Sequence, residues 1–168
     1  MRHRRPLWRL GVATLALALL GCGHGRTQTW SATVVHVTDG DTVYVRAASH
    51  ESSVPVRLLG IDAPEICQNG GPASREALAE LVLHRQVTLV GVGQDAYGRE
   101  LARVYVGGQD VGRALVTQGH AWSYGRNRQD GPYAREQREA RQARRGLFAQ
   151  ARPEPPRAFR QRHGPCHG

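Results

Sequence analysis

Short β-branched runs cut at turn-forming residues fill the stretch from Trp30 to Ile61, and they restrict the chain to folds founded on an antiparallel meander. Trp30 to Val37 reads as a strand that breaks at Thr38-Asp39-Gly40-Asp41, Asp-Gly being a frequent hairpin turn. Thr42 to Arg46 and Val54 to Ile61 read as the second and third strands, and Pro64 stops the third. Gly70-Gly71-Pro72 then opens a helix to His84, with Ala73, Ala77, Leu78, Leu81 and Val82 spaced as an apolar stripe. Gln86 to Val92 and Glu100 to Val106 return to strand. Asp110 is placed to cap a short helix that stops at Gly119, and a last helix runs from Pro132 to Arg145. The tail from Ala151 holds Pro153, Pro155 and Pro156 and is expected not to continue a helix but to lie along the surface.

Five strands with a helix between the third and fourth is the element order of an OB-fold, so the expectation is an α+β domain with a five-stranded barrel and three helices. Such barrels commonly bind oligonucleotides, but order alone leaves function open.

Residues 1–21 run from a basic stretch, Arg2 to Arg9, into the apolar segment Leu10 to Leu20, too short for a membrane span and suited to a secretory leader. It ends Leu19-Leu20-Gly21-Cys22, which resembles the bacterial lipobox, where the cysteine is acylated and becomes the mature N-terminus. An ordinary signal peptide cut a few residues later is the alternative. The division expected is therefore a leader at 1–21, a tether at 22–29, a folded domain at 30–150 and a Pro/Arg-rich tail at 151–168. The protein is expected in the cell envelope outside the cytoplasm, anchored through Cys22, with secretion as the alternative.

Formal net charge is +9, falling to +5 once the leader takes Arg2, Arg4, Arg5 and Arg9 with it. That surplus favours a polyanionic partner. All 23 basic side chains are arginine, which suits bidentate phosphate contacts; a GC-rich genome accounts for the bias equally well. If Cys22 carries lipid, Cys67 and Cys166 remain as an even pair in an oxidising compartment, expected to form one disulfide. A loop of about 100 residues closed this way is worth up to about 4.7 kcal/mol in chain-entropy terms. Metal binding by two such distant cysteines is the weaker alternative.

Four stretches carry the chemistry: Asp39-Gly40-Asp41-Thr42, Arg57 to Glu65 (Arg-Leu-Leu-Gly-Ile-Asp-Ala-Pro-Glu), Asp95-Ala96-Tyr97-Gly98-Arg99 and Gln118-Gly119-His120-Ala121-Trp122. In this order and spacing they resemble the staphylococcal nuclease (thermonuclease) family from about Trp30 to Phe148. Independently, a meander brings Asp41, just past a turn, towards Asp62, at a strand's end. That pair of hard carboxylate oxygens, without histidine or thiolate, suits Ca²⁺ rather than zinc. The resemblance implies that the two aspartates bind calcium together with the backbone carbonyl of Ala63.

Arg57 lies in a strand with Val56 and Leu58 facing the other way, so its guanidinium shares the face open to Asp41. Phosphoryl transfer needs positive donors on the equatorial oxygens, and the resemblance gives that work to Arg57 and Arg99. Glu65, three residues past Asp62, is placed to orient or deprotonate a water, the role the family assigns to it. Asp39 reads as a group orienting metal-bound water. Tyr97 is a candidate phosphate contact, and Tyr124 is evenly balanced between a base platform and a structural role. Trp122 reads as core. Ala96 stands where many family members carry lysine, so the grip on substrate is expected to differ.

The function implied is an exported calcium-dependent nuclease, a monomeric phosphodiesterase cutting DNA with little sequence preference and giving 3′-phosphate ends, with RNA left open as a second substrate. The alternative is a non-catalytic nucleic-acid-binding OB-fold lipoprotein, which would be marked by loss of the carboxylates or arginines; Asp41, Arg57, Asp62, Glu65 and Arg99 are all present. A purely structural envelope lipoprotein leaves those five unexplained.

Overall fold

The structure is a computed structural model that describes residues 27–49, 51–125, 131–164 and 166. The leader and Cys22 lie outside the described residues. Strands β1 (Gln28–Val37), β2 (Thr42–Arg46) and β3 (Val54–Leu58) form the expected antiparallel meander, with Thr42 opposite Arg57 and Val43 opposite Val56. The third strand is shorter than its sequence pattern suggested. After the turn at Leu59-Gly60 the chain re-enters extended structure only for β4 (Ile61–Asp62), which belongs to a separate two-stranded ribbon. Gly60 sits at φ 85°, the left-handed turn that a side chain resists.

Helix α1 (Gly71–Val82) follows, then β5 (Gln86–Gln94), β6 (Glu100–Val106) and β7 (Gln109–Asp110). Strand β1 pairs with both β2 and β5, β5 with β6, and a parallel contact between β3 and β6 closes five strands into a barrel, with β7 as an extra strand. Bulges at Val34/His36 in β1 and at Gly91/Gly93 in β5 supply the bends that closure needs. Helix α2 (Val111–Gln118) is capped by the Asp110 carboxylate on the Arg113 N–H and ends at Gly119. Then come β8 (Trp122–Ser123), paired with β4, helix α3 (Ala134–Gln142) and a 3-10 turn at Gly146–Ala149.

The barrel is filled by alternate strand residues, among them Val34, Val43, Val45, Val56, Leu89 and Val104, and closed by Leu78 and Val82 of α1 and Leu115 and Val116 of α2. Each such side chain contributes about 1.5–3 kcal/mol on burial, which makes the barrel a stiff base for what sits on its rim. Trp122 is core, stacked edge-on against Phe148 in a second cluster with Ala140 and Leu147.

The tail corrects the sequence expectation. Pro156 opens a helix, α4 (Pro156–His163), rather than preventing one. A proline at the first helical position lacks only an N–H that the helix does not use there.

Candidate active site

The turn at Asp39–Asp41 is held by the Asp39 carboxylate, which accepts the Asp41 backbone N–H at 2.9 Å. The turn delivers Asp41 to the start of β2, where its backbone carbonyl accepts the Leu58 N–H and locks it beside β3. Its side chain is buried, with Oδ1 accepting the Thr42 hydroxyl at 3.1 Å and Oδ2 the Ala63 N–H at 2.8 Å. The last bond stitches the exit of β4 to the start of β2, and so places Asp62 next to Asp41. Only a glycine fits at position 40, because a Cβ there would lie 2.6 Å from the Ala63 Cβ and 2.7 Å from the Ser74 Cβ.

Arg57 reaches across from β3. Its Nη1 stands 2.5 Å from Asp41 Oδ2 and its Nη2 donates to Asp62 Oδ1 at 3.2 Å. Nη1 is buried against that carboxylate, so the Arg57 guanidinium is ion-paired with both aspartates. Arg99 comes from the β5–β6 turn, where Asp95 accepts its Nε at 2.8 Å and its backbone N–H at 3.0 Å; its Nη1 reaches the Thr42 hydroxyl at 3.4 Å. Although slight burial works the other way, the bonds from Arg99 and from the Tyr97 N–H hold the Asp95 carboxyl below its usual value.

These groups line one open pocket of about 510 Å³, which takes in Asp39, Asp41, Arg57, Ala63, Glu65, Tyr97 and Arg99. Tyr97 is fully out on its rim, 85% exposed, with the Arg99 guanidinium 5.4 Å from its ring. Asp62 lies behind this wall, 3% exposed, under two guanidinium groups. Tyr124 is not brought to this pocket. It lines a separate, largely apolar groove with Leu59, Val90, Val92 and Tyr105.

One site residue was missed in the sequence. Arg160 of α4 also lines the pocket, with Nη1 on Glu65 Oε1 at 2.7 Å and on Asp62 Oδ1 at 3.1 Å, and Nη2 on Asp62 Oδ2 at 3.1 Å. Burial works against its charge, but the bonds to Asp62 and Glu65 prevail and hold it more firmly protonated than a free arginine. The signal for it was indirect: Cys67 and Cys166 do form a disulfide, and a bond two residues after Glu65 draws the tail to the site.

Burial pushes the Asp41 carboxyl up to about 6, against the pull of Arg57 and with the help of Asp39. A carboxylate so placed is short of solvation, and a cation would favour its charged form. Asp41 and Asp62 offer hard oxygens, and no imidazole or thiolate lines the pocket. Among the described residues no three His, Cys, Asp or Glu side chains stand together at ligand spacing. A cation held here would complete its shell from backbone carbonyls and water, as oxygen-seeking Ca²⁺ does. The donor types suit an oxygen-liganded divalent ion, and at Asp62 such an ion would take the place of the Arg57 and Arg160 contacts. Chemically, the pocket combines the guanidinium groups of Arg57 and Arg99 with the Asp39 and Asp41 carboxylates and a carboxylate on a loop, Glu65.

Residues 55–150 match the family model described as staphylococcal nuclease homologue. An uncharacterized endonuclease of Escherichia coli O157:H7 is 39% identical over 140 residues, covering 83% of this chain and 86% of that protein. One from Haemophilus influenzae is 38% identical over 127 residues, covering 76% and 71%. A probable staphylococcal-like nuclease of rice, Oryza sativa subsp. japonica, is 37% identical over 94 residues, covering 56% of this chain and 19% of its own length.

Proposed function

This chain belongs to the staphylococcal nuclease family and is a nuclease, and from that premise we propose that it is an exported, calcium-dependent phosphodiesterase that cuts DNA within the Asp41–Arg57–Arg99 pocket. The observation that carries the reading is that Arg57, paired with Asp41 and Asp62, and Arg99, on the Thr42 hydroxyl, converge on one pocket with Asp41 and Glu65. Two guanidinium forks on the equatorial oxygens hold the scissile phosphate and stabilise the charge that builds up as the bond to the leaving oxygen breaks. Asp41, Asp62 and the backbone carbonyl of Ala63 would hold the calcium ion, with Asp39 orienting its water. When bound, the ion supplies positive charge to the phosphate and favours ionisation of water nearby.

Glu65 orients the attacking water and accepts its proton as the oxygen adds to phosphorus. The P–O5′ bond breaks, the leaving oxygen takes a proton from solvent, and the products are a 3′-phosphate and a 5′-hydroxyl. Tyr97, out on the rim beside Arg99, contacts a flanking phosphate through its hydroxyl. Tyr124, in a second groove, supports a base further along the strand. Contacts of this kind are to phosphate and to ring faces, so sequence preference is weak. RNA with the same phosphodiester is a second candidate substrate. The chain works as a monomer and reaches its substrate outside the cytoplasm, anchored through lipid on Cys22. Plasmid DNA should be degraded by the mature protein with calcium and left intact with excess chelator. Equal degradation with chelator, or none under either condition, refutes the calcium-dependent reading.

A further inference from the structure

The tail returns to the pocket through three separate ties. Gln68, 4% exposed, accepts the Glu65 backbone N–H through Oε1 at 3.2 Å and donates from Nε2 to the Glu154 carbonyl at 2.8 Å. Cys67 is bonded to Cys166, 99 residues on. Between these two, α4 carries Arg160 across the carboxylates of Asp62 and Glu65. Arg162 of α4 pairs in turn with Glu154, which fastens the helix to its own lead-in.

We propose that Arg160 is a positioning residue for Glu65 and that the Cys67–Cys166 disulfide delivers it, so that the C-terminal tail is part of the cleavage site. The inference rests on the reading of Glu65 as the group acting on water. Glu65 follows Pro64 in a stretch with neither strand nor helix, so the barrel by itself does not orient its carboxylate. A planar guanidinium with one nitrogen shared between two carboxylates and the other on one of them fixes both spacing and plane, as a flexible ammonium cannot. The bond takes Glu65 Oε1, which leaves Oε2 for the water. The Glu65 and Arg160 side chains are 20% and 35% exposed, so solvent screens this contact less than it does a fully surface pair.

The disulfide matters because α4 has 8 residues, too few to hold helical structure unaided. A cross-link close to Glu65 raises the local concentration of Arg160 at the site. An arginine on Asp62 that merely occupied a cation's place would make the opposite prediction, namely faster turnover on its removal.

The test is steady-state cleavage of a single-stranded DNA oligonucleotide in calcium by the full mature chain, with folding followed by circular dichroism. Arg160→Ala should lower kcat by roughly 10- to 100-fold, the usual range for a residue supporting a site group, with KM within about threefold of the parent. Millimolar methylguanidinium should restore part of that loss, which it would not do for a merely structural arginine. Arg160→Lys keeps the charge without the fork and should recover only part. Cys67→Ser with Cys166→Ser should lose a similar factor, and adding Arg160→Ala to that pair should cost little more, since both changes remove one device. Parental or higher kcat in Arg160→Ala, or losses that add, overturns the proposal. If Arg160→Ala does not fold, parental kcat in Arg160→Lys does the same. Arg57→Ala separates the two readings: inactive Arg57→Ala beside fully active Arg160→Ala sinks this inference alone, whereas an inactive parent or fully active Arg57→Ala sinks the site assignment and this inference with it.

Discussion

Asp41 is the residue on which the site's electrostatics turn. Burial raises its carboxyl from 3.8 to about 6 in the folded protein, so folding takes up a proton between about pH 4 and pH 6. Where the folded state binds more protons than the unfolded chain, stability falls as pH rises. In calcium-free protein, Asp41→Asn should therefore raise Tm at pH 7 and flatten the decline in Tm between pH 4 and pH 6. Scanning calorimetry across that range checks both, and a variant less stable than the parent at pH 7 contradicts the account. The meeting of Asp41, Arg57 and Asp62 was legible in the sequence because short motifs at strand ends fix where a side chain must point. The placing of Tyr124 was not, since nothing in its neighbourhood of the sequence says which groove the chain turns towards.

At the scale of elements, Gly40 is where the β1–β2 turn, the exit of β4 and the first turn of α1 come together. A methyl group would meet the Cβ atoms of Ala63 and Ser74 at 2.6 and 2.7 Å, and neither neighbour is the far end of a flexible side chain. Gly40→Ala should cost about 1–3 kcal/mol, as overpacking does, and should weaken calcium binding by pushing Asp41 away from Asp62. Denaturant unfolding and calcium titration check the two effects, and a parental value for both would show that the turn gives way freely. The strand and helix order was readable because the β-branched runs and the apolar stripe of α1 have clear periods. Strand β4 was not, because two residues carry no period, and its break from β3 depends on the turn at Gly60. Helix α4 is hidden in the sequence because prolines punctuate the tail, yet Pro156 stands in the first helical turn, where its missing N–H has no intrahelical role, as Pro72 does in α1.

For the molecule as a whole, the barrel, the site and the tail are one unit, closed by a single cross-link between Cys67 and Cys166. With those two paired, Cys22 is the remaining cysteine, and the run Leu19-Leu20-Gly21-Cys22 is the basis for the proposal that it carries lipid. Two acyl chains hold a protein on a membrane where one does so only reversibly. Cys22→Ser should thus release the enzyme from the membrane fraction or leave an uncleaved precursor. Recovery of both parent and variant as the same soluble, processed protein contradicts the anchor and leaves the nuclease untouched. The central claim is that Arg57 and Arg99 act together on the scissile phosphate. The direct measurement is the turnover of DNA in saturating calcium by Arg57→Ala and by Arg99→Ala, each verified as folded. A fall of about 10²-fold or more in each is the predicted result, the loss expected for one transition-state donor, and near-parental turnover in both would contradict it.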